Sequence, residues 1–230
     1  MKTVLAISIL LLSLLLPMVS AQATYTIPLE EASWWTNRIN VQIPSSPSWA
    51  HNCVVPALKT WNQAQTWFRD TYYPTGSVYT LIESQNTNPD VTVNFTVSLV
   101  NGQYRGQTFY TTTGNYFDSG VKVTISLKSD TCIVVTIIAI HEFGHVLGLD
   151  HATYPEDLMY VHAITASGPS TLDLYAVHMV AQHQVSSSVT LPLNIPYTTE
   201  IPTPEFPSSL VLIFVLTLGI LVTRKLTPRD

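Results

Sequence analysis

The stretch His141-Glu142-Phe143-Gly144-His145-Val146-Leu147-Gly148-Leu149-Asp150-His151 constrains this chain more than any other part of it. On a helix, residues four apart share a face, so His141 and His145 can aim their imidazoles at one point. Glu142 is one residue round from His141, within reach of a metal-activated water without ligating the metal. Gly148 accepts backbone angles that other residues resist, which lets the helix end there and the chain turn sharply. That turn brings His151 back toward the same point as a third ligand. Three imidazoles on Zn²⁺ leave one position open, the arrangement of a catalytic site rather than a structural one. Such a site expects Glu142 to serve as general base and one catalytic Zn²⁺ as cofactor. Calcium is left open by the sequence.

The apolar run that carries the motif starts at Thr131 and contains no proline, which predicts one long helix to about Leu147. An earlier helix is predicted from about Ser48 to Phe68, where Val54, Leu58, Trp61, Ala64 and Phe68 recur at helical spacing. Strand-like segments fall at Asn37–Ile43, Val78–Ile82, Val91–Val97, Gly106–Thr111 and Val121–Leu127. In the third of these, Val91, Val93, Phe95 and Val97 face one way and Thr92, Asn94 and Thr96 the other. Asn94-Phe95-Thr96 is a glycosylation sequon on the polar face. Ser170-x-x-Asp173 opens a last helix through about Gln182 as a capping box with Asp in place of Glu.

The ends read differently. Met1-Lys2, the apolar run Val4–Leu16 and the small residues before Gln22 describe a signal peptide over residues 1–21. Residues 186–209 are rich in Ser, Thr and Pro and read as an extended stalk. Residues 210–223 are apolar at the lower edge of spanning length, and the basic tail 224–230 places the C-terminus inside. The folded domain is thus expected over residues 22–185, exported and held at the cell surface. Cys53 and Cys132 are the only cysteines. In an exported protein this pair suggests one disulfide, with two buried thiols as the alternative. Net charge is −5 with no basic stripe, which argues against a nucleic-acid partner.

The motif resembles that of the metzincins, His-Glu-x-x-His-x-x-Gly-x-x-His followed by a methionine turn. Met159, eight residues beyond His151, stands at the spacing of the matrixin branch. The resemblance implies an α+β zincin-type fold: a mixed twisted sheet, a long active-site helix and a small C-terminal subdomain. It also implies a zinc endopeptidase acting on proteins or peptides, with Met159 as a hydrophobic floor under the ligands. Val161 and Ala163 stand where matrixins usually carry Pro and Tyr after that turn, and Cys53 does not match the family's inhibitory prosegment cysteine. His51, His162, His178 and His183 are expected to be ordinary residues. Pro204-Glu205-Phe206, the apolar segment and Arg224-Lys225 resemble the sorting tails of some archaeal surface proteins, which implies a sorting enzyme acting at Pro204–Phe206. The rival to an enzyme is a non-catalytic surface binding or adhesion module that keeps zinc to hold its fold.

Overall fold

The computed structural model describes residues 23–128, 131–161 and 168–201. The signal-peptide, membrane-segment, basic-tail and Pro-Glu-Phe expectations fall outside these residues. Among the described residues no helix is long and apolar enough to cross a membrane.

The core is built on a mixed sheet. Strand β1 (Thr26–Pro28) lies apart from it; β2 (Arg38–Gln42), β3 (Thr80–Glu83), β4 (Val91–Thr96), β5 (Gly106–Phe109) and β8 (Val121–Ser126) form it. The order is β3-β2-β4-β8-β5, parallel throughout except for β5, which runs antiparallel along one edge. The inward residues Ile39, Val41, Val91, Val93, Val121, Val123 and Ile125 are almost wholly excluded from solvent. Their alternation with polar neighbours is the period-2 pattern that makes these segments strands. Thr92↔Lys122 and Asn94↔Thr124 pair across β4 and β8 on the opposite face, where Asn94 is exposed. A short hairpin, β6 (Thr112–Thr113) and β7 (Tyr116–Phe117), interrupts the passage from β5 to β8.

Two helices cover the apolar face. Helix α1 (Ser48–Tyr72) buries Val54, Leu58, Trp61, Ala64 and Phe68, the residues at helical spacing, and runs one turn beyond the expected Phe68. Helix α2 (Cys132–Val146) starts where the Thr131 side chain accepts from Val134 N. Nearly all of its residues from Val135 onward are apolar or buried, because α2 sits in the middle of the molecule rather than on its surface. Trp61 Nε1 donates to Ile140 O at 2.8 Å and Thr136 Oγ1 to Cys53 O at 2.7 Å, fastening α1 to α2. Cys53 and Cys132 are joined in a disulfide with their Cα atoms 5.3 Å apart, so the two helix starts are also tied covalently.

Gly148, with φ of +95°, turns the chain out of α2. A Cβ there would lie 3.0 Å from both Ala32 O and Val180 Cγ1, so the position excludes a side chain on conformation and space alike. Helix α3 (Thr171–Ala181) comes next among the described elements, and its start carries the full capping box: Asp173 N donates to Ser170 Oγ and Ser170 N to Asp173 Oδ2.

The expected stalk needs correction. Residues 186–201 fold back onto the domain: β9 (Ser188–Thr190) pairs antiparallel with β1, and Leu191, Ile195 and Ile201 are buried. Thr171 Oγ1 donates to Pro196 O and Thr171 N to Thr198 O, pinning the segment to the start of α3. The folded unit therefore reaches at least Ile201 rather than ending at Val185. Its few apolar residues are spaced irregularly among Ser, Thr and Pro, so they leave no periodic trace.

Candidate metal centre

Helix α2 presents His141 and His145 one turn apart, and the turn at Gly148 returns His151 to them. The three rings lie with centroids 5.1, 5.3 and 4.7 Å apart. One nitrogen from each can be chosen so that all lie within 4.8 Å of one another. His141 Nδ1 is 2.8 Å from Leu158 O and His145 Nδ1 2.7 Å from Leu149 O. Both carbonyls can only accept, so each Nδ1 carries the proton and Nε2 is the atom left for a metal. His145 is buried and His151 exposed, so the cluster opens to solvent on the His151 side.

The chemistry of this donor set fits Zn²⁺. Burial, with His145 beside it, pushes the His141 imidazole down to about 3, so it is neutral as a ligand must be. Burial also pulls on His145, but Glu30, Glu142 and the Leu149 carbonyl outweigh it and raise its proton affinity. A cation bound at Nε2 competes with a proton for that position. Among the described residues the cluster contains these three ligands, leaving room for a fourth, non-protein one.

Glu142 is buried beside the cluster. Burial pushes its carboxyl up, opposed by His145 and by a hydrogen bond from Thr108. Thr108 Oγ1 reaches Glu142 Oε2 at 2.7 Å and the Glu142 carbonyl oxygen at 3.2 Å. Thr108 lies on edge strand β5, and so does Gly106, where an added Cβ would stand 2.3 Å from Glu142 Oε1. The edge strand thus comes close to the carboxylate from two positions, one holding it and one making room for it.

Met159 is fully buried. A Cβ on Gly144 would lie 2.3 Å from the Met159 sulfur, so the missing side chain lets the methionine pack against α2 between the two helical ligands. Ala152 N donates to Met159 O at 2.9 Å, and Met159 N donates to Asp157 Oδ1 at 3.0 Å. Asp157 Oδ2 accepts from Ser170 Oγ at 2.7 Å and from Tyr197 OH at 3.3 Å. The methionine turn is therefore tied through one carboxylate to both α3 and the C-terminal segment.

Glu30 completes the surroundings. Its Oε1 lies 3.3 Å from His145 Nδ1, and Tyr110 OH donates to its Oε2. Burial raises the Glu30 carboxyl, but the contacts with His145 and Tyr110 outweigh it and leave it below the ordinary value. Glu30, Gly106, Thr108, Tyr110 and Asp157 are invisible to motif reading, since they reach the site from the N-terminal segment, from β5 and the residue after it, and from the methionine turn. The remaining described histidines lie outside the cluster. His51 Nε2 sits 2.7 Å from Glu83 Oε1, His178 stacks on Tyr73 and His183 Nδ1 is 3.1 Å from Ser33 Oγ. His162 falls outside the described residues.

Comparison with known families agrees with this geometry. The family model described as matrixin, Peptidase M10, matches residues 36–180, from the threonine before β2 almost to the end of α3. That span is more than half of the chain and takes in the mixed sheet, both long helices, the three histidines and the methionine turn. On these grounds the chain belongs to the matrixins, a family of zinc metallopeptidases with an α+β metzincin-like fold.

Proposed function

We propose that this protein is an active zinc endopeptidase that cleaves extracellular proteins or peptides, with Glu142 as its general base. The observation that carries the reading is the carboxylate of Glu142 beside three clustered imidazoles, anchored by Thr108 at 2.7 Å. His141, His145 and His151 would hold the metal. Zinc bound there supplies Lewis acidity, polarising the scissile carbonyl and making water acidic near neutral pH. Glu142 takes the proton from the attacking water and passes it to the departing amine. Thr108 occupies Oε2, which leaves Oε1 as the oxygen that accepts and returns that proton. Gly106 keeps the space around Oε1 open. Edge strand β5 ends the sheet, so its outer backbone edge can pair with an extended peptide and bring the scissile bond alongside Glu142.

Glu142→Ala separates this reading from a zinc-stabilised binding module. The variant is expected to fold and keep zinc while losing about 10²–10⁴-fold in turnover of a mixed peptide library. Wild-type cleavage rates in Glu142→Ala would overturn the mechanism, and a zinc-loaded wild type that cleaves no peptide would favour the binding module.

The same proposal extends to location. The sequence of residues 1–21 supports export, and the apolar segment 210–223 with its basic flank supports anchoring at the cell surface. The Pro204-Glu205-Phe206 motif supports sorting, in which a membrane enzyme cuts there. Mass spectrometry of the native C-terminus distinguishes the two fates. An intact Asp230 means a simple anchor, and truncation near Glu205 means sorting.

A further inference from the structure

The N-terminal segment touches the metal centre although it lies outside the helix and turn that supply the ligands. Hydrogen bonds hold it on both sides of Glu30, backbone bonds before it and, after it, the Ser33 N–H to Asn115 O and the Trp34 indole. Glu30 N donates to Gly148 O at 3.0 Å, Asp150 N to Pro28 O at 3.1 Å and Leu29 N to Ser187 O at 3.1 Å. Four residues on, Trp34 Nε1 donates to Val146 O at 2.7 Å. Between these anchors Glu31 adopts φ of +54°, a left-handed conformation uncommon for a residue with a Cβ. The chain turns there, just after placing Glu30. The Glu30 side chain points at His145 Nδ1, and Tyr110, the residue directly after β5, holds its second oxygen. A glutamate held at both oxygens, on a segment anchored before and after it, is built for that position.

We propose that Glu30 is a positioning residue for His145, and that the N-terminal segment is an integral part of the metal centre. The proposal rests on the zinc reading above. A histidine that binds metal through Nε2 must keep its proton on Nδ1. Here that proton lies between the Leu149 carbonyl at 2.7 Å and the Glu30 carboxylate at 3.3 Å. The carbonyl fixes the ring, and the carboxylate adds a negative charge that makes the imidazole a stronger donor. Tyr110 keeps that charge in place and links it to the edge strand that also holds Glu142. Glu30 touches neither substrate nor metal in this role; it acts through His145.

The test is the Zn²⁺ dissociation constant of the full-length protein, measured by competition with a chromophoric chelator. Glu30→Ala is expected to weaken binding by about 10–100-fold, the usual effect of losing a carboxylate behind a metal-ligating histidine. Glu30→Gln, which keeps size and an acceptor but loses the charge, is expected to weaken it in the same direction, and Tyr110→Phe by a smaller factor. The melting temperature of the metal-free Glu30→Gln protein should stay close to wild type, which a purely structural role would not allow. Glu83→Gln, whose carboxylate pairs with His51 far from the centre, is the charge control and should bind zinc as wild type does. Wild-type affinity in both Glu30 variants would overturn the proposal, as would an equal loss in Glu83→Gln. If Glu30→Ala does not fold, Glu30→Gln decides alone. Failure of the wild type itself to bind zinc would instead overturn the functional reading, so the two failures are distinguishable.

Discussion

At Gly106 the edge strand passes so close to Glu142 that a single methyl group has nowhere to go. Its carbon would stand 2.3 Å from Glu142 Oε1 and 2.7 Å from Ile138 Cγ2. Gly106→Ala is therefore expected to displace the carboxylate and lower kcat more than KM, and steady-state kinetics on a peptide substrate would show it. An unchanged kcat would mean that Glu142 moves freely. Thr108→Val removes the donor at 2.7 Å and should lower kcat as well, with Thr108→Ser restoring it. A second residue-scale expectation concerns the wholly buried Asp173. Burial, then the neighbouring Asp157, pushes its carboxyl well above the ordinary value. Its Oδ1 finds no N–H or O–H donor, and a proton held there relieves the repulsion. The unfolded chain loses that proton near the ordinary value of about 4. Stability from this group is thus present below that pH and is lost as pH rises toward the folded-state value. Asp173→Asn keeps an acceptor for Ser170 N and gains a permanent donor toward Asp157. Its melting temperature should rise relative to wild type as pH goes from 4 to 8; a constant difference across that range would contradict this.

Among the elements, the bridge from α1 to α2 spans 79 residues of sequence. Closing a loop of that length constrains the unfolded chain by about 4.5 kcal/mol on the chain-entropy model. Reduction, or Cys53→Ser with Cys132→Ser, should lower the melting temperature while the packing of Trp61 on Ile140 keeps the helices together. No change on reduction would show that the unfolded chain is already compact there. The helices and the sheet strands were legible because each repeats its pattern locally: Val54, Leu58 and Trp61 at helical spacing, Val91, Val93 and Phe95 in alternation. The capping box at Ser170 was legible as a four-residue signature. Strands β1 and β9 were not, since three-residue strands carry no usable period and Thr26 pairs with Thr190 across nearly the whole domain. The same holds for the site. His141, His145 and His151 sit within one turn and a half of helix and loop, whereas Glu30, Thr108 and Asp157 reach it only through tertiary packing.

For the molecule as a whole, the return of residues 186–201 changes where the fold can be cut. A chain ending at Ile201 keeps β9, the buried Leu191, Ile195 and Ile201, and the Tyr197 contact with Asp157 beneath the methionine turn. It should fold, leave the membrane fraction and bind zinc as the full chain does. A chain ending at Val185 loses all of these contacts and should melt lower and hold zinc more weakly, read by thermal denaturation and metal competition. Equal stability of the two truncations would return residues 186–201 to the role of a stalk. The zinc site itself is tested most directly by the metal content of purified, peptide-cleaving protein. One zinc per chain is expected in the wild type and in Glu142→Ala, with none in His145→Ala and activity abolished by a chelator. Full peptide cleavage by protein that carries no stoichiometric zinc would contradict the assignment of His141, His145 and His151.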